Sequence, residues 1–205
     1  MRGMPTMMIN IMDHEIFARN IDTFKEVSKD NSTGHDEYMT HSDIRVVNFD
    51  KVKAQYANGL ADPNDYPASV DAVAVLNNKF FLVEFKNGSI GNDKSLRKKI
   101  PESLLILCDI IKCNISDTRK EWELILVYNE KKNVDKFNNK ISSDKIKEHL
   151  FDKTADHYIR FGLDRYKYIY FKDVYTYTEK EFDEFLSKSL FRNFTNSPKF
   201  VIIKK

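Results

Sequence analysis

The stretch from Pro67 to Gly88, PASVDAVAVLNNKFFLVEFKNG, constrains the fold more than any other part of the chain. Its two arms, Ser69 to Leu76 and Lys79 to Lys86, are apolar on both faces, which is the pattern of strands in the middle of a covered sheet. Between them Asn77-Asn78 supplies a two-residue hairpin loop, since asparagine tolerates the positive φ that such a loop requires. With those two as the loop, facing positions sum to 155, a register that sets Asp71 across from Glu84 and Ser69 across from Lys86. Side-chain alternation then places Asp71, Glu84 and Lys86 on one face.

Two carboxylates at cross-strand distance repel, and burial makes each ion costlier, so the pair requires a raised pKa or a cation. A hard divalent ion, Mg²⁺ or Mn²⁺, resolves the conflict. Asp71 and Glu84 would hold it through oxygen, with the Phe85 carbonyl and waters completing the shell. Such an ion polarises a phosphate oxygen and acidifies a bound water. Lys86 stands where it can orient or deprotonate that water, or offset charge on the transition state. The alternative is a solvated sheet end, with Lys86 in an ordinary salt bridge.

Around the hairpin, hydrophobic periodicity predicts a helix from Asp13 to about Ser28, with Ile16, Phe17, Ile21, Phe24 and Val27 on its stripe. Polar residues 31–41 read as a loop. Residues 42–60 are ambiguous, strand-like at Ile44, Val46 and Val47 and helix-like at Phe49, Val52 and Tyr56. A second helix is expected from Asp93 to Lys112 on Leu96, Ile100, Leu104, Leu107 and Ile111, kinked at Pro101. Strands are predicted at Glu121–Tyr128 and Tyr166–Val174, and a short helix at Ser143–Phe151. Thr178-Glu179-Lys180-Glu181 reads as a capping box opening a last helix to about Leu190, and the tail KFVIIKK as an edge strand. The expected fold is therefore α/β, a central mixed β-sheet flanked by helices with a C-terminal strand and helix added, in a single domain over residues 1–205.

At this point the chain resembles the PD-(D/E)xK nuclease superfamily, whose restriction-endonuclease-like members share a helix, a β-hairpin carrying Asp and then Glu-x-Lys, a helix and a strand. The resemblance covers roughly Asp13 to Tyr128. It implies that Asp71 and Glu84 are the metal ligands and Lys86 the catalytic lysine. Many members also bring a glutamate from the first helix, a role for which the resemblance points to Glu15 rather than Glu26. One departure is visible, because Val70 rather than proline precedes Asp71. The spacing by itself is weak, since Asp117, Glu130 and Lys132 repeat it, but Asp117 sits in a turn-like segment rather than on a facing strand.

The resemblance implies a metal-dependent phosphodiesterase acting on DNA in a repair, recombination, mobile-element or defence setting. Fold alone does not license catalysis, so a silent nucleic-acid- or protein-binding member is the alternative. A net charge of +2, from 33 basic and 31 acidic residues, excludes a grossly polycationic binder, so a nucleic-acid surface must be a local patch. Lys94, Arg97, Lys98 and Lys99 open the helix after the hairpin, and Lys94, Arg97 and Lys98 are assigned to the flanking phosphates. The tyrosines between Tyr158 and Tyr177 are read as core packing in preference to base stacking. One site cuts one strand, which makes a homodimer attractive for duplex cleavage. Cys108 and Cys113 fit neither a zinc knuckle nor a redox motif and are read as reduced thiols. With no apolar run of membrane-spanning length, the expectation is a cytoplasmic protein without a membrane partner.

Overall fold

The computed structural model describes residues 14–32, 34–60, 62–91, 94–133 and 158–195. Eight strands are present among them: β1 (Ile21–Thr23), β2 (Lys29–Asp30), β3 (Glu37–Tyr38), β4 (Arg45–Asn48), β5 (Ala72–Leu76), β6 (Lys79–Lys86), β7 (Trp122–Tyr128) and β8 (Asp173–Thr178). The helices are α1 (Glu15–Ala18), α2 (Phe24–Val27), α3 (Phe49–Ala57), α4 (Lys94–Ile111), α5 (Ile115–Glu121) and α6 (Glu179–Thr195). Six strands make one mixed sheet in the order β1-β4-β5-β6-β7-β8, and β2 with β3 makes a small second sheet. The pairs from β1 to β6 are antiparallel, whereas β6, β7 and β8 run parallel. This is the α/β mixed sheet with flanking helices that the sequence predicts, and no described helix is long and apolar enough to cross a membrane.

The hairpin register is the predicted one. Ala72 pairs with Val83, Val73 with Leu82 and so on to Leu76 with Lys79, every pair summing to 155. Asn77 and Asn78 both take left-handed backbone, φ 52° and 60°, as a type I′ turn demands. β6 and β7 are central strands, and every residue of β7 is buried. On one face of the sheet Phe49 and Val52 of α3 and Leu96, Ile100, Leu104 and Leu107 of α4 pack over Val73, Leu82 and Leu124. On the other, Phe24, Met39, Phe182 and Leu186 cover Ala74, Phe81, Val83 and Phe85.

Three expectations are corrected. The helix predicted from Asp13 to Ser28 is two single turns separated by β1, because Ile21–Thr23 pairs with Arg45–Val47 at the sheet edge. Thr23 starts α2 by accepting a hydrogen bond from the Glu26 amide. Residues 31–41 are not all loop, since Glu37–Tyr38 pairs with Lys29–Asp30. The strand predicted at Tyr166–Val174 lies later, at Asp173–Thr178, after a turn region in which Phe161, Gly162 and Tyr168 have positive φ. The ambiguous segment 42–60 is both of its readings in succession, β4 and then α3. α4 runs unbroken through Pro101. The predicted capping box at α6 is formed, with Thr178 Oγ1 accepting from the Glu181 amide and Glu181 Oε2 from the Thr178 amide. The Ser143–Phe151 helix and the KFVIIKK strand lie outside the described residues.

Candidate active site

The site forms where β5 begins and β6 ends, and the segment leading into β5 is held from two sides. Glu102 of α4 accepts from the Ala68 amide, and Ser103 Oγ, wholly buried, accepts from the Val70 amide at 2.8 Å. From the α3 side, the Phe49 amide donates to the Asp71 carbonyl and Asp50 accepts from Ser69 Oγ. Asp71 is thus fixed before its side chain makes any contact.

The ladder breaks at this residue. The Asp71 amide donates to the Val83 carbonyl, although Val83 is the partner of Ala72, so two residues of one strand face one of the next, as in a β-bulge. Asp71 therefore does not lie squarely across from Glu84 as the pairing arithmetic predicts. Its carboxylate turns toward the end of β6, where Oδ2 accepts from the Phe85 amide at 2.6 Å. A strand residue aims its N–H and C=O to the same side, so the Phe85 carbonyl is also directed toward the Asp71 side.

Glu84 shares its sheet face with Leu82 and Lys86, and it is 1% exposed. Its Oε1 accepts from Lys99 Nζ at 2.6 Å, and the same ammonium stands 3.5 Å from Asp71 Oδ1. Glu84 Oε2 is buried and has no hydrogen-bond partner among the described residues. Burial is the largest influence on both acids and raises both pKa values. Asp71 is pushed up to about 6, with Lys99 and the Phe85 amide opposing the rise. Glu84 is raised well above the usual carboxylate range by burial and by the Asp71 charge, while Lys99 and Lys86 work against the rise. For Lys99 burial disfavours the ammonium, but Asp71 and Glu84 outweigh it and raise its pKa.

Asp71, together with Val27 and Lys29, lines two clefts, of about 410 and 350 Å³, both within the size of small-ligand sites (roughly 300–1,000 Å³). Glu26, Asp50 and Lys51 line the first, and Lys86, Asn87 and Asp30 the second. A hollow of about 510 Å³ between His41–Ile44 and α6 lies away from this pair and contains no buried ionisable side chain.

Of the residues singled out in the sequence, Asp71, Glu84, Phe85 and Lys86 come together. Glu15 does not join them: it is exposed and pairs with Arg19 one turn on, whereas Glu26 lines a cleft with Asp71. Lys94, Arg97 and Lys98 are exposed on the outer side of α4, with Lys98 3.9 Å from Glu102. The residue sequence reasoning passed over is Lys99. It follows Leu96 by three positions and precedes Ser103 by four, so it lies on the buried stripe of α4, and a cation there was the available signal. The repeat at Asp117, Glu130 and Lys132 makes no site. Asp117 closes the capping box of α5, and Lys132 turns to Glu37 and Asn87.

No protein-family model, curated protein or solved structure matches the chain. Among the described residues no three His, Cys, Asp or Glu side chains gather as a metal cluster. A metal here would rest on two carboxylates and a backbone carbonyl, a donor set of hard oxygens suited to Mg²⁺ or Mn²⁺ with waters making up the shell. The buried, unpartnered Glu84 Oε2 fits that group.

Proposed function

We propose that this protein is a metal-dependent phosphodiesterase of the PD-(D/E)xK kind that hydrolyses DNA. One observation carries the reading. Two carboxylates, Glu84 buried and Asp71 partly buried where it lines two clefts, converge on one cation position, with one carboxylate oxygen left over. A structural ion pair does not require the second acid. The order of α3, the β5–β6 hairpin, α4 and the parallel strand β7 also supports the resemblance, with α3 in place of the helix expected from Asp13 to Ser28.

A divalent ion, when bound, supplies polarisation of the phosphate and a more acidic water. The chain's own residues do the rest. Asp71 and Glu84 hold the position, with the Phe85 amide fixing the Asp71 carboxylate by hydrogen bond. Lys86, at the end of β6 and lining a cleft with Asp71, is placed to orient the attacking water or to offset charge on the phosphate. Exposed Lys94, Arg97 and Lys98 extend positive charge along α4 for the flanking backbone. Duplex cleavage by a single-strand site calls for two copies of the chain.

A second reading has its own observation. Lys99 already neutralises part of the acid pair, so the same geometry suits a silent member that binds nucleic acid without cutting it. Cleavage of plasmid and single-stranded DNA in Mg²⁺ or Mn²⁺ separates the two. Wild type is expected to cut and Lys86→Ala to lose cleavage with its unfolding transition unchanged. Absence of cleavage by wild type, or its survival in Lys86→Ala, counts against the assignment.

A further inference from the structure

Lys99 occupies the position between the two acids where a shared cation belongs, at 2.6 Å from Glu84 Oε1 and 3.5 Å from Asp71 Oδ1. Charge counting shows that its fit is incomplete. At the shared position itself one ammonium returns one positive charge against two ionised carboxylates, with the Lys86 charge acting on Glu84 as well, whereas a divalent ion balances both acids there. Hydrogen bonding is incomplete as well, since Glu84 Oε2 stays buried and unpartnered beside the ammonium. Lys99 itself is not locked in. Its side chain, on a flexible four-carbon stem, is 26% exposed, whereas that of Glu84 is 1% exposed.

Resting on the metal-dependent reading above, we infer that Lys99 is a built-in competitor for the metal position, which holds the acid pair together until a hard divalent cation displaces its ammonium. An ammonium and a divalent ion cannot both sit between these oxygens without strong repulsion, so metal entry and departure of Lys99 are one event. Lys99 accordingly weakens metal affinity while supporting the metal-free fold. A lysine that directly helps to bind the metal-loaded state would have the opposite effect on affinity.

The test combines calorimetric titration of Mn²⁺ into wild type and Lys99→Met with mass-spectrometric acetylation of lysines in wild type, with and without Mn²⁺. Lys99→Met is expected to bind Mn²⁺ about tenfold more tightly than wild type, about 1.4 kcal/mol. In wild type the acetylation rate of Lys99 is expected to rise several-fold on adding saturating Mn²⁺. Equal or weaker Mn²⁺ binding by folded Lys99→Met overturns this inference and leaves the metal site standing. Binding by neither protein overturns both. If Lys99→Met does not fold, the wild-type reactivity decides: a rise supports displacement, and an unchanged or lower rate with Mn²⁺ bound overturns it.

Discussion

Replacing Lys99 should cost far more stability than replacing the acid it contacts, although both substitutions break the same ion pair. At an effective dielectric of about 20, the 2.6 Å contact to Glu84 corresponds to roughly 6 kcal/mol of gross attraction and the 3.5 Å approach to Asp71 to roughly 5 kcal/mol. Desolvation of the three groups takes back most of this, several kcal/mol per buried ion. Lys99→Met removes the attraction but leaves both acids buried, so the expected loss is about 3–5 kcal/mol. Glu84→Gln removes the attraction together with the Asp71 repulsion and the buried charge, while keeping an acceptor for Lys99. Its expected effect is within about 1 kcal/mol of wild type. In the double variant Glu84→Gln should recover about 2 kcal/mol of the Lys99→Met loss. Urea unfolding near neutral pH in EDTA measures all four proteins. The reasoning fails if Lys99→Met loses less than about 1 kcal/mol, or if Glu84→Gln loses as much as Lys99→Met.

Two further outcomes follow from the same site. Ser103→Ala leaves the buried Val70 amide without its acceptor and is expected to cost about 1–3 kcal/mol in urea unfolding, with a change near zero showing that the clasp on the hairpin entry is immaterial. Asp71 has its folded-state pKa raised from 3.8 to about 6, so the stability linked to its proton is fully present below about pH 4 and is lost as pH rises through about 6. The loss is roughly 3 kcal/mol at most, and Asp71→Asn should remove it from the stability difference across that window. An unchanged pH dependence in Asp71→Asn would contradict the assignment.

The hairpin was legible because its cause is local. Asn77-Asn78 accepts two positive φ values, both arms carry apolar residues on each face, and together these fix the register over Ala72–Leu76 and Lys79–Val83. What lies one residue beyond that ladder was not legible. The bend at Asp71 depends on the Phe49 amide donating to the Asp71 carbonyl, on the Asp71 amide donating to the Val83 carbonyl and on the Val70 amide donating to Ser103 Oγ, and Phe49 and Ser103 lie outside the hairpin. The N-terminal helix failed for a similar reason, since Ile21 fits a helical stripe and an edge strand equally well until β4 is present to pair with. In Tyr166–Val174 alternation imitates a strand, but left-handed backbone at Tyr168 interrupts it, and the alternating burial begins at Asp173.

The acid pair was readable as a conflict of charges, but the group that resolves it was not. Arg97 and Lys98 stood out because the sequence clusters them. Their side chains face outward, and Lys99, their neighbour, turns inward because α4 rotates it onto the stripe of Leu96, Ile100 and Ser103. Glu15 and Glu26 could not be separated while both were placed on one long helix. With β1 between α1 and α2, only Glu26 reaches a cleft shared with Asp71.

The proposed function requires that Asp71 and Glu84 form a site for a hard divalent cation. Calorimetric titration of Mn²⁺ into wild type, Asp71→Ala and Glu84→Ala addresses it most directly. Saturable binding by wild type that is lost in both variants, each retaining a cooperative unfolding transition, is the predicted result. No binding by wild type at millimolar Mn²⁺, or binding that persists in both variants, would contradict it.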